Sequence, residues 1–210
     1  MKPTGLKEFA YNSIKKMLLD GKIKPGDRVM EADLAEEISV SRTPVREAIN
    51  QLVAAGFIIE KPRHGLFAVK FTEKQLKDIG TVRSALSMLA FDQCCEFMDE
   101  EKAELLTEAY QAMVSACESG DFSAVSRADG QFHKTIAQLT GNDTLYSYIC
   151  DLEDLSIYSR QMDNYVYNKE HLLESHSKMY HAILSRDRDY ADSMMSWKNV
   201  QNRFQPKENE

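Results

Sequence analysis

Long apolar runs are missing from this 210-residue sequence, although 43% of its residues are hydrophobic. No stretch approaches the roughly 18 apolar residues of a membrane-spanning helix, and the N-terminus lacks the pattern of a secretion signal. We therefore expect a cytoplasmic protein with no membrane partner. The length predicts one large domain or two small ones.

Cysteine is also scarce, and its spacing excludes two further classes. Cys94 and Cys95 are adjacent, whereas Cys117 and Cys150 each stand alone. This spacing fits neither a zinc-binding motif nor a disulfide framework, so reduced, partly buried thiols are predicted. A nucleophile elbow, a phosphate-binding loop and a His-Glu-x-x-His motif are missing as well, which argues against an enzyme.

The charged residues are unevenly distributed along the chain. Residues 1–70 contain 12 Lys and Arg against 9 Asp and Glu, a net charge of +3. The remaining residues contain 14 against 24, a net charge of −10. A basic first third on an acidic body indicates an anionic partner at one end only.

Apolar spacing in the first third predicts a helix-turn-helix followed by a hairpin. The predicted first helix has Leu6, Phe9 and Ile14 among its apolar positions, and a turn follows at Lys24–Asp27. The other predicted elements are an extended piece at 28–30, a second helix at 31–38, a third ended by Gly56, and strands at 57–59 and 66–69.

The stretch SRTPVREAIN at 41–50 begins the third helix. Ser41 or Thr43 can cap this helix, and Pro44 is tolerated in its first turn. Val45, Ala48, Ile49 and Leu52 form an apolar side that leaves Arg42, Thr43, Arg46 and Asn50 on the other side.

A polar, cationic helix start held by an apolar back is what a DNA recognition helix requires. Arginine can bind guanine bidentately, and the hydroxyl groups of Ser41 and Thr43 suit phosphate oxygens. The hairpin carries Arg63 and His64 at its tip and is placed to touch the DNA backbone or the minor groove as a wing. The order of these elements predicts a winged helix-turn-helix that binds double-stranded DNA.

The same residues carry a family resemblance. Pro25-Gly26, Leu34-Ala35, the run Val40–Ala48, Leu52 and Gly65 resemble the winged helix-turn-helix of the GntR family of bacterial transcription regulators. The resemblance implies DNA contacts by Arg42, Thr43, Arg46, His64 and Gly65. Many members carry an arginine early in the second helix, where this chain has Ala32, so that contact is not carried over.

From residue 72 onward the pattern is helical throughout, which predicts domains at 1–71 and 72–210. Helices are predicted at 73–97, 100–118, 121–139, 143–163, 169–185 and 187–203, followed by a frayed polar tail. Their order and size resemble the FCD domain of the FadR subgroup of GntR regulators. That resemblance implies an antiparallel all-α bundle that binds a small carboxylate or other metabolite, often beside a divalent metal.

Three inward polar residues are candidate ligands for a metal. Asp129 and His133 border the apolar side of one predicted helix, and His176 lies among apolar residues of another. One carboxylate and two imidazoles can form a partial site for Zn, Ni or Mn. In the FCD resemblance the last ligand is a histidine, and the matching residue here is Lys198.

Lys198 leaves three arrangements open. A protonated ammonium cannot bind a metal, so it could replace the ion and pair with Asp129 or with an acidic effector. Alternatively, three protein ligands hold a metal, or Lys198 extends to solvent. We favour a metal-free site slightly; a further alternative is that Asp129 and His133 are only a hydrogen-bonded pair.

Arg83 is the remaining effector-binding candidate. The FCD resemblance places an arginine there that faces the pocket, and a guanidinium suits bidentate carboxylate binding. A surface ion pair is the alternative. Arg160, Tyr158 and Asn142 are weaker pocket candidates, and Asn142 is expected to begin a helix.

These features predict a ligand-controlled transcription regulator. We expect a homodimer, because one recognition helix reads few bases and two-fold symmetry doubles its contacts on an inverted repeat. Two alternatives are a metallohydrolase using Asp129, His133 and His176, and an architectural DNA-binding protein that responds to no metabolite.

Overall fold

The computed structural model describes residues 3–160, 165–189 and 204–206, with side chains for residues 5–160 and 168–189. The chain divides into two compact units, residues 1–72 and 73–210, one residue from the predicted boundary. Among the described residues, no helix is both long and apolar enough to cross a bilayer. All four cysteines are free thiols, and Cys150 is the one that is only partly buried.

The N-terminal unit has the predicted helix-turn-helix and wing. Three helices and a small antiparallel sheet are described: α1 Pro3–Leu19, β1 Arg28–Val29, α2 Glu31–Glu37, α3 Arg42–Ala54, β2 Ile58–Lys61 and β3 Gly65–Ala68. The strand order is β1-β3-β2. Lys61 lies opposite Gly65 across the hairpin, and Arg28 of β1 lies opposite Phe67.

The core of this unit is built from helical apolar stripes. In α1 the stripe is Ala10, Ile14 and Leu18, and in α3 it consists of Val45, Ala48, Ile49 and Leu52, all buried. Phe9, one of the apolar positions that predicted this helix, does not belong to the stripe and is 47% exposed. Phe9 precedes Ala10 by one residue, which rotates its side chain about 100° away from the stripe.

The end of α3 is closed by a Schellman motif at Gly56. The Phe57 N–H donates to the Leu52 carbonyl, and the Gly56 N–H donates to the Val53 carbonyl. Gly56 has a φ of 82°, a left-handed conformation that favours glycine. Because β2 begins at Ile58, this turn joins α3 directly to the wing.

The C-terminal unit is dominated by helices that match five predicted ones. They are α4 Glu73–Glu96, α5 Glu100–Ser119, α6 Phe122–Leu139, α7 Asp143–Ser159 and α8 Lys169–Leu184. Helix α6 packs against α4, α5 and α7, and α8 packs against α4 and α5. Phe91, Leu106, Phe132, Ile149 and Ile183 lie in the shared core.

Side-chain caps fix where these helices begin. Asp99 accepts from the Lys102 N–H, Asp121 from the Ser123 and Ala124 N–H groups, and Asn142 from the Leu145 N–H. Asn168 accepts from the His171 N–H at the start of α8. Asn142 therefore begins a helix, as expected.

The expectation of an entirely helical second unit needs three corrections. Helix α7 ends at Ser159, before the predicted residue 163. Two short strands, β4 Tyr165–Tyr167 and β5 Phe204–Pro206, pair antiparallel where a break and a frayed tail were predicted. Residues 187–189 are not helical, and the rest of the helix predicted at 187–203 lies outside the described residues.

Candidate functional site

The outer side of α3 presents an exposed polar surface. Its exposed residues include all the predicted DNA-contacting ones, Ser41, Arg42, Thr43, Arg46 and Asn50, together with Glu47 and Gln51. Ser41 occupies the N-cap position with extended backbone, but its side chain makes no capping hydrogen bond. The predicted cap by Ser41 or Thr43 is therefore wrong, because Ser41 leaves the first-turn N–H groups uncapped and Thr43 lies inside the helix.

Arg46 is held by an acidic residue of the preceding helix. Its Nε lies 3.0 Å from Glu31 Oε1, and its Nη2 lies 2.9 Å from Glu31 Oε2. The hydrogen bond from Arg46 lowers the pKa of Glu31 below its ordinary value, and the same bond raises the pKa of Arg46. Sequence reasoning gave Glu31 no role, because the pairing joins residues on two helices.

The wing carries a cluster of cations at its tip. Lys61, Arg63 and His64 are exposed, and Arg63 adopts a left-handed φ of 64°. Lys61 Nζ lies 4.6 Å from the centre of the Phe67 ring. A Cβ added to Gly65 would lie 3.7 Å from Arg28 Nη2, so the Arg28 guanidinium sits beside the hairpin tip. Arg28 is a cation of this surface that sequence reasoning missed.

The second candidate site is a buried polar cluster in the C-terminal unit. Helix α6 supplies Ser126, Asp129 and His133, α8 supplies His176, and the cluster is completed by Arg83 of α4, Glu153 of α7 and Arg160 at the end of α7. All of these side chains are buried. The structure thus brings together the three predicted metal ligands and places Arg83 beside them.

Asp129 is the centre of the cluster. Its Oδ2 lies 3.1 Å from Arg160 Nη1, and its Oδ1 lies 3.0 Å from His176 Nε2 and 3.9 Å from His133 Nε2. Arg160 Nη1 also lies 3.1 Å from Ser126 Oγ. Asp129 Oδ1 accepts no hydrogen bond from a neutral His176, whose ring proton is on Nδ1, whereas a protonated His176 would donate to it from Nε2. The Asp129–His133 contact is too long for the simple hydrogen-bonded pair considered above.

The orientation of the His176 ring is fixed by a hydrogen bond on the side away from Asp129. Its Nδ1 lies 2.8 Å from the Leu172 carbonyl oxygen, so Nδ1 is the donor of this hydrogen bond. In the neutral ring, Nε2 then carries a lone pair on the side of Asp129. Such a hydrogen bond on the far ring nitrogen is typical of histidines that bind metals.

Arg83 and Glu153 form a buried ion pair between α4 and α7. Arg83 Nη1 lies 2.8 Å from Glu153 Oε1, with the two side chains 9% and 0% exposed. The surface ion pair considered for Arg83 is therefore wrong. The pairing also means that Arg83 already binds a carboxylate of its own chain. Glu153 was missed, although its spacing of four from the buried Ile149 and Ile157 is a readable signal.

The charges of the cluster stabilise one another. Burial opposes ionisation of Asp129, but the charge of Arg160 and the contact with His176 outweigh it and hold the pKa of Asp129 well below its ordinary value. Burial also acts to lower the pKa of Arg83, yet Glu153 and Asp129 raise it. Asp129 and Arg83 therefore remain charged at neutral pH. Burial lowers the pKa of Arg160, but a guanidinium still stays protonated at neutral pH.

The remaining predicted pocket residues are Arg160, Tyr158 and Lys198, of which the structure describes the first two. Arg160, a weaker candidate from sequence, belongs to the cluster through Asp129. Tyr158 is fully buried in α7. Lys198 lies outside the described residues.

Comparison with known proteins identifies the two units. The FCD domain matches residues 78–196, and the family described as bacterial regulatory proteins, gntR family, matches residues 6–68. The chain belongs to the GntR family of transcription regulators and carries an FCD domain. This assignment confirms the resemblance drawn from sequence and places the chain among regulators rather than enzymes.

Relatives of this GntR–FCD chain extend over most of its length. The uncharacterized HTH-type transcriptional regulator YdhC of Bacillus subtilis is 28% identical, covering 90% of this chain and 86% of YdhC. The gluconate operon transcriptional repressor of Bacillus licheniformis is 28% identical, covering 82% of this chain and 73% of the repressor. The solved structure of Escherichia coli McbR/YncC shares the fold, with a TM-score of 0.77 and 22% identity over 93% of this chain and 95% of that chain.

Proposed function

We propose that this GntR regulator is a cytoplasmic homodimer whose affinity for an inverted-repeat operator changes when a small carboxylate enters the polar cluster of the FCD domain. The cluster residues would bind the effector, and α3 with the wing would contact DNA. One observation carries the effector site: buried polar atoms in and beside the cluster lack hydrogen-bond partners among the described residues.

These atoms belong to four side chains besides Asp129. They are Arg83 Nε, Ser84 Oγ, Ser87 Oγ and Glu153 Oε2, and Asp129 Oδ1 shares their state. A buried polar group without a partner costs about 1–3 kcal/mol, and few are tolerated in a native core. A polar effector that entered the cluster would supply the missing donors and acceptors.

Asp129, His133 and His176 fit a divalent metal. Their candidate ligand atoms lie within 4.8 Å of one another and are buried. Ligand atoms of a tetrahedral site with bonds of 2.0–2.1 Å lie about 3.3 Å apart, and the two measured separations from Asp129 Oδ1, 3.0 Å and 3.9 Å, span that value. The geometry therefore supports the metal-bound arrangement over the metal-free one that the sequence slightly favoured.

The balance of charge supports an anionic effector. With neutral histidines, the charges of Arg83 and Arg160 cancel those of Asp129 and Glu153. A bound divalent ion adds two positive charges to this buried cluster, and an isolated buried charge is costly. The metal, when bound, supplies the positive centre that carboxylate oxygens bind. One relative is a repressor of a gluconate operon, and gluconate is itself a small carboxylate.

The DNA-contacting surface has the chemistry that an operator requires. Arg42, Arg46 and Asn50 would reach base edges, the uncapped start of α3 with Ser41 and Thr43 would bind phosphate, and Arg63, His64 and the backbone of Gly65 would contact the DNA backbone or minor groove. One such surface reads a short half-site. A dimer related by two-fold symmetry would read both halves of an inverted repeat.

Binding experiments with the full-length protein test the effector site. A duplex is selected from a randomised library by the wild-type protein, and its affinity is measured with Zn²⁺, Ni²⁺ or Mn²⁺, with and without gluconate and citrate. We expect a carboxylate and a metal together to change the affinity by about 5- to 150-fold, the usual range of coupling between two sites. His176→Ala should remove this response.

His181→Ala is the matched control, because His181 lies exposed on the same helix α8. It should respond as the wild type does. An affinity that no metal or carboxylate changes would contradict the effector proposal and favour an architectural DNA-binding protein. Loss of the response in both histidine variants would contradict the assignment of the site to His176.

A further inference from the structure

The Glu31 carboxylate accepts hydrogen bonds from one edge of the Arg46 guanidinium. The contacts use Nε and Nη2, at 3.0 Å from Oε1 and 2.9 Å from Oε2, with a third distance of 3.1 Å between Nε and Oε2. This is the two-pronged geometry in which a carboxylate fixes both the position and the plane of a guanidinium. Arg46 is the better exposed partner, at 65% against 26% for Glu31.

The contacts with Glu31 leave other N–H groups of the Arg46 guanidinium available to bind a base. A guanidinium has five N–H donors, and Glu31 occupies those of the edge formed by Nε and Nη2. The two hydrogens on Nη1 and the outer hydrogen on Nη2 remain, and together they form the end of the fork. Those donors can meet the O6 and N7 acceptors of guanine in the major groove.

The position of Glu31 makes it a firm support. It is the first residue of α2, which follows the buried strand residue Val29 and packs against α3. The next turn of α2 is anchored by Leu34 and Ala35, both buried. Arg46 lies in the middle of α3, between the buried Val45 and Ala48. The carboxylate and the guanidinium are therefore presented by two helices packed in one core.

We propose that Glu31 is a positioning residue for DNA reading, which holds Arg46 extended so that the end of its guanidinium meets a single guanine. This inference rests on the proposed function, because it assumes that Arg46 faces DNA. It assigns Glu31 an effect on sequence selectivity that acts through Arg46 and needs no contact between Glu31 and a base.

Electrostatic repulsion and the positioning of Arg46 predict different effects of neutralising Glu31. Removing a negative charge near DNA should strengthen binding to every sequence, because fewer phosphates are repelled. Releasing Arg46 should weaken binding only where guanine is read, because a freed side chain must be ordered again on binding. Glu31→Gln should therefore raise affinity for unrelated DNA and lower selectivity for the preferred guanine.

The test compares variants of the full-length protein on defined DNA. The wild-type protein selects a duplex from a randomised library, and each G·C pair of that duplex is then replaced by A·T. The pair at which Arg46→Ala loses discrimination is the pair that Arg46 reads. We expect Glu31→Gln to lower discrimination at that same pair by roughly 2- to 12-fold, the equivalent of immobilising one side chain.

Two controls separate positioning from general effects. Glu37→Gln removes the same charge from an exposed position of the same helix, and it should leave discrimination at that pair unchanged. Glu31→Asp keeps the charge but shortens the reach, and it should give an intermediate loss. In the free protein, the Arg46 Nε–H resonance should exchange with water faster in Glu31→Gln than in the wild type.

The outcomes distinguish this inference from the proposed function. If the wild-type protein binds all duplexes equally, α3 and the wing do not read a DNA sequence. That result would overturn both the proposed DNA-contacting surface and the role of Glu31. If Arg46→Ala abolishes discrimination while Glu31→Gln retains it, Glu31 is not a positioning residue and the proposed function stands. Higher selectivity in Glu31→Gln would show that Glu31 competes with DNA for Arg46, which also overturns the inference.

Discussion

The two units of this regulator treat their charged residues in opposite ways. In the N-terminal unit the cations of α3 and the wing are exposed, and Glu31 engages Arg46 without burying it. In the C-terminal unit Arg83, Asp129, Glu153 and Arg160 are buried, and their opposite charges are paired. Exposed charges cost the fold little and remain open to a partner, whereas buried charges must be balanced inside the chain before any ligand arrives.

The largest expected effect comes from breaking the buried ion pair of Arg83 and Glu153. Glu153→Ala leaves Arg83 charged and buried without its main partner, which should lower the free energy of unfolding by about 3–5 kcal/mol. Urea unfolding of the full-length protein measures this loss. Glu174→Ala, which breaks an exposed pair with Lys178, should leave the midpoint unchanged. Equal destabilisation by both variants would show that burial does not set the cost of breaking an ion pair in this protein.

Arg46→Ala tests the exposed side of the comparison. If Arg46 reads a guanine as proposed, this variant should lower discrimination at that guanine by roughly 5- to 150-fold, measured as the ratio of Kd values on matched and altered duplexes. The unfolding midpoint should shift only slightly, because the Glu31–Arg46 pair is exposed and exposed ion pairs contribute little to stability. Arg127→Ala removes an exposed arginine from the acidic unit and should preserve the ratio. Strong destabilisation of Arg46→Ala would mean that the outer side of α3 also supports the fold.

Gly130→Ala tests how closely α6 and α7 approach beside the buried pair. A Cβ at this position would lie 2.7 Å from Ile157 Cδ1 and 3.8 Å from Glu153 Oε2. Alanine stabilises a helix by about 1 kcal/mol relative to glycine, whereas overpacking costs about 1–3 kcal/mol, so we expect a net loss of about 1 kcal/mol. Thermal unfolding of Gly130→Ala/Ile157→Val, which lacks the clashing methyl group, should recover it. A single variant as stable as wild type would show that Ile157 moves aside freely.

The smallest expected effect is the titration of Glu31. Its hydrogen bond with Arg46 lowers its pKa in the folded state, so the pair stabilises the fold above the unfolded-state pKa of Glu31. That contribution is lost as the pH falls through the folded-state pKa. Carbon-13 NMR should find a lower midpoint for Glu31 in the wild type than in Arg46→Ala. Identical midpoints would mean that the pair does not persist in solution.

The exposed side of α3 could be predicted because its signals are local. The apolar spacing of Val45, Ala48 and Ile49 fixes which side of α3 faces the core, so the outward residues follow directly. Gly56 marked the end of the helix, and its Schellman motif explains why. What local sequence could not supply was the pairing of Arg46 with Glu31, since that depends on how α2 packs against α3.

The buried cluster was predictable only in part, for the same reason. Asp129 and His133 share one helix and were placed together by their spacing of four residues. The pair of Arg83 and Glu153 joins positions 70 residues apart and depends on the packing of α4 against α7. Strands β4 and β5 are only three residues each. Such short strands carry too little alternation to be read from sequence, and their pairing is set by the fold.

The Arg83–Glu153 pair also constrains how this regulator can evolve. On the proposed function, a substitution on the outside of α3 can change the preferred operator in a single step, because the fold depends little on an exposed side chain. A substitution of Arg83 or Glu153 alone leaves an uncompensated buried charge, so most single mutants at either position should be unstable. New operators should therefore arise one mutation at a time, whereas new effectors that engage this pair should require two coordinated changes.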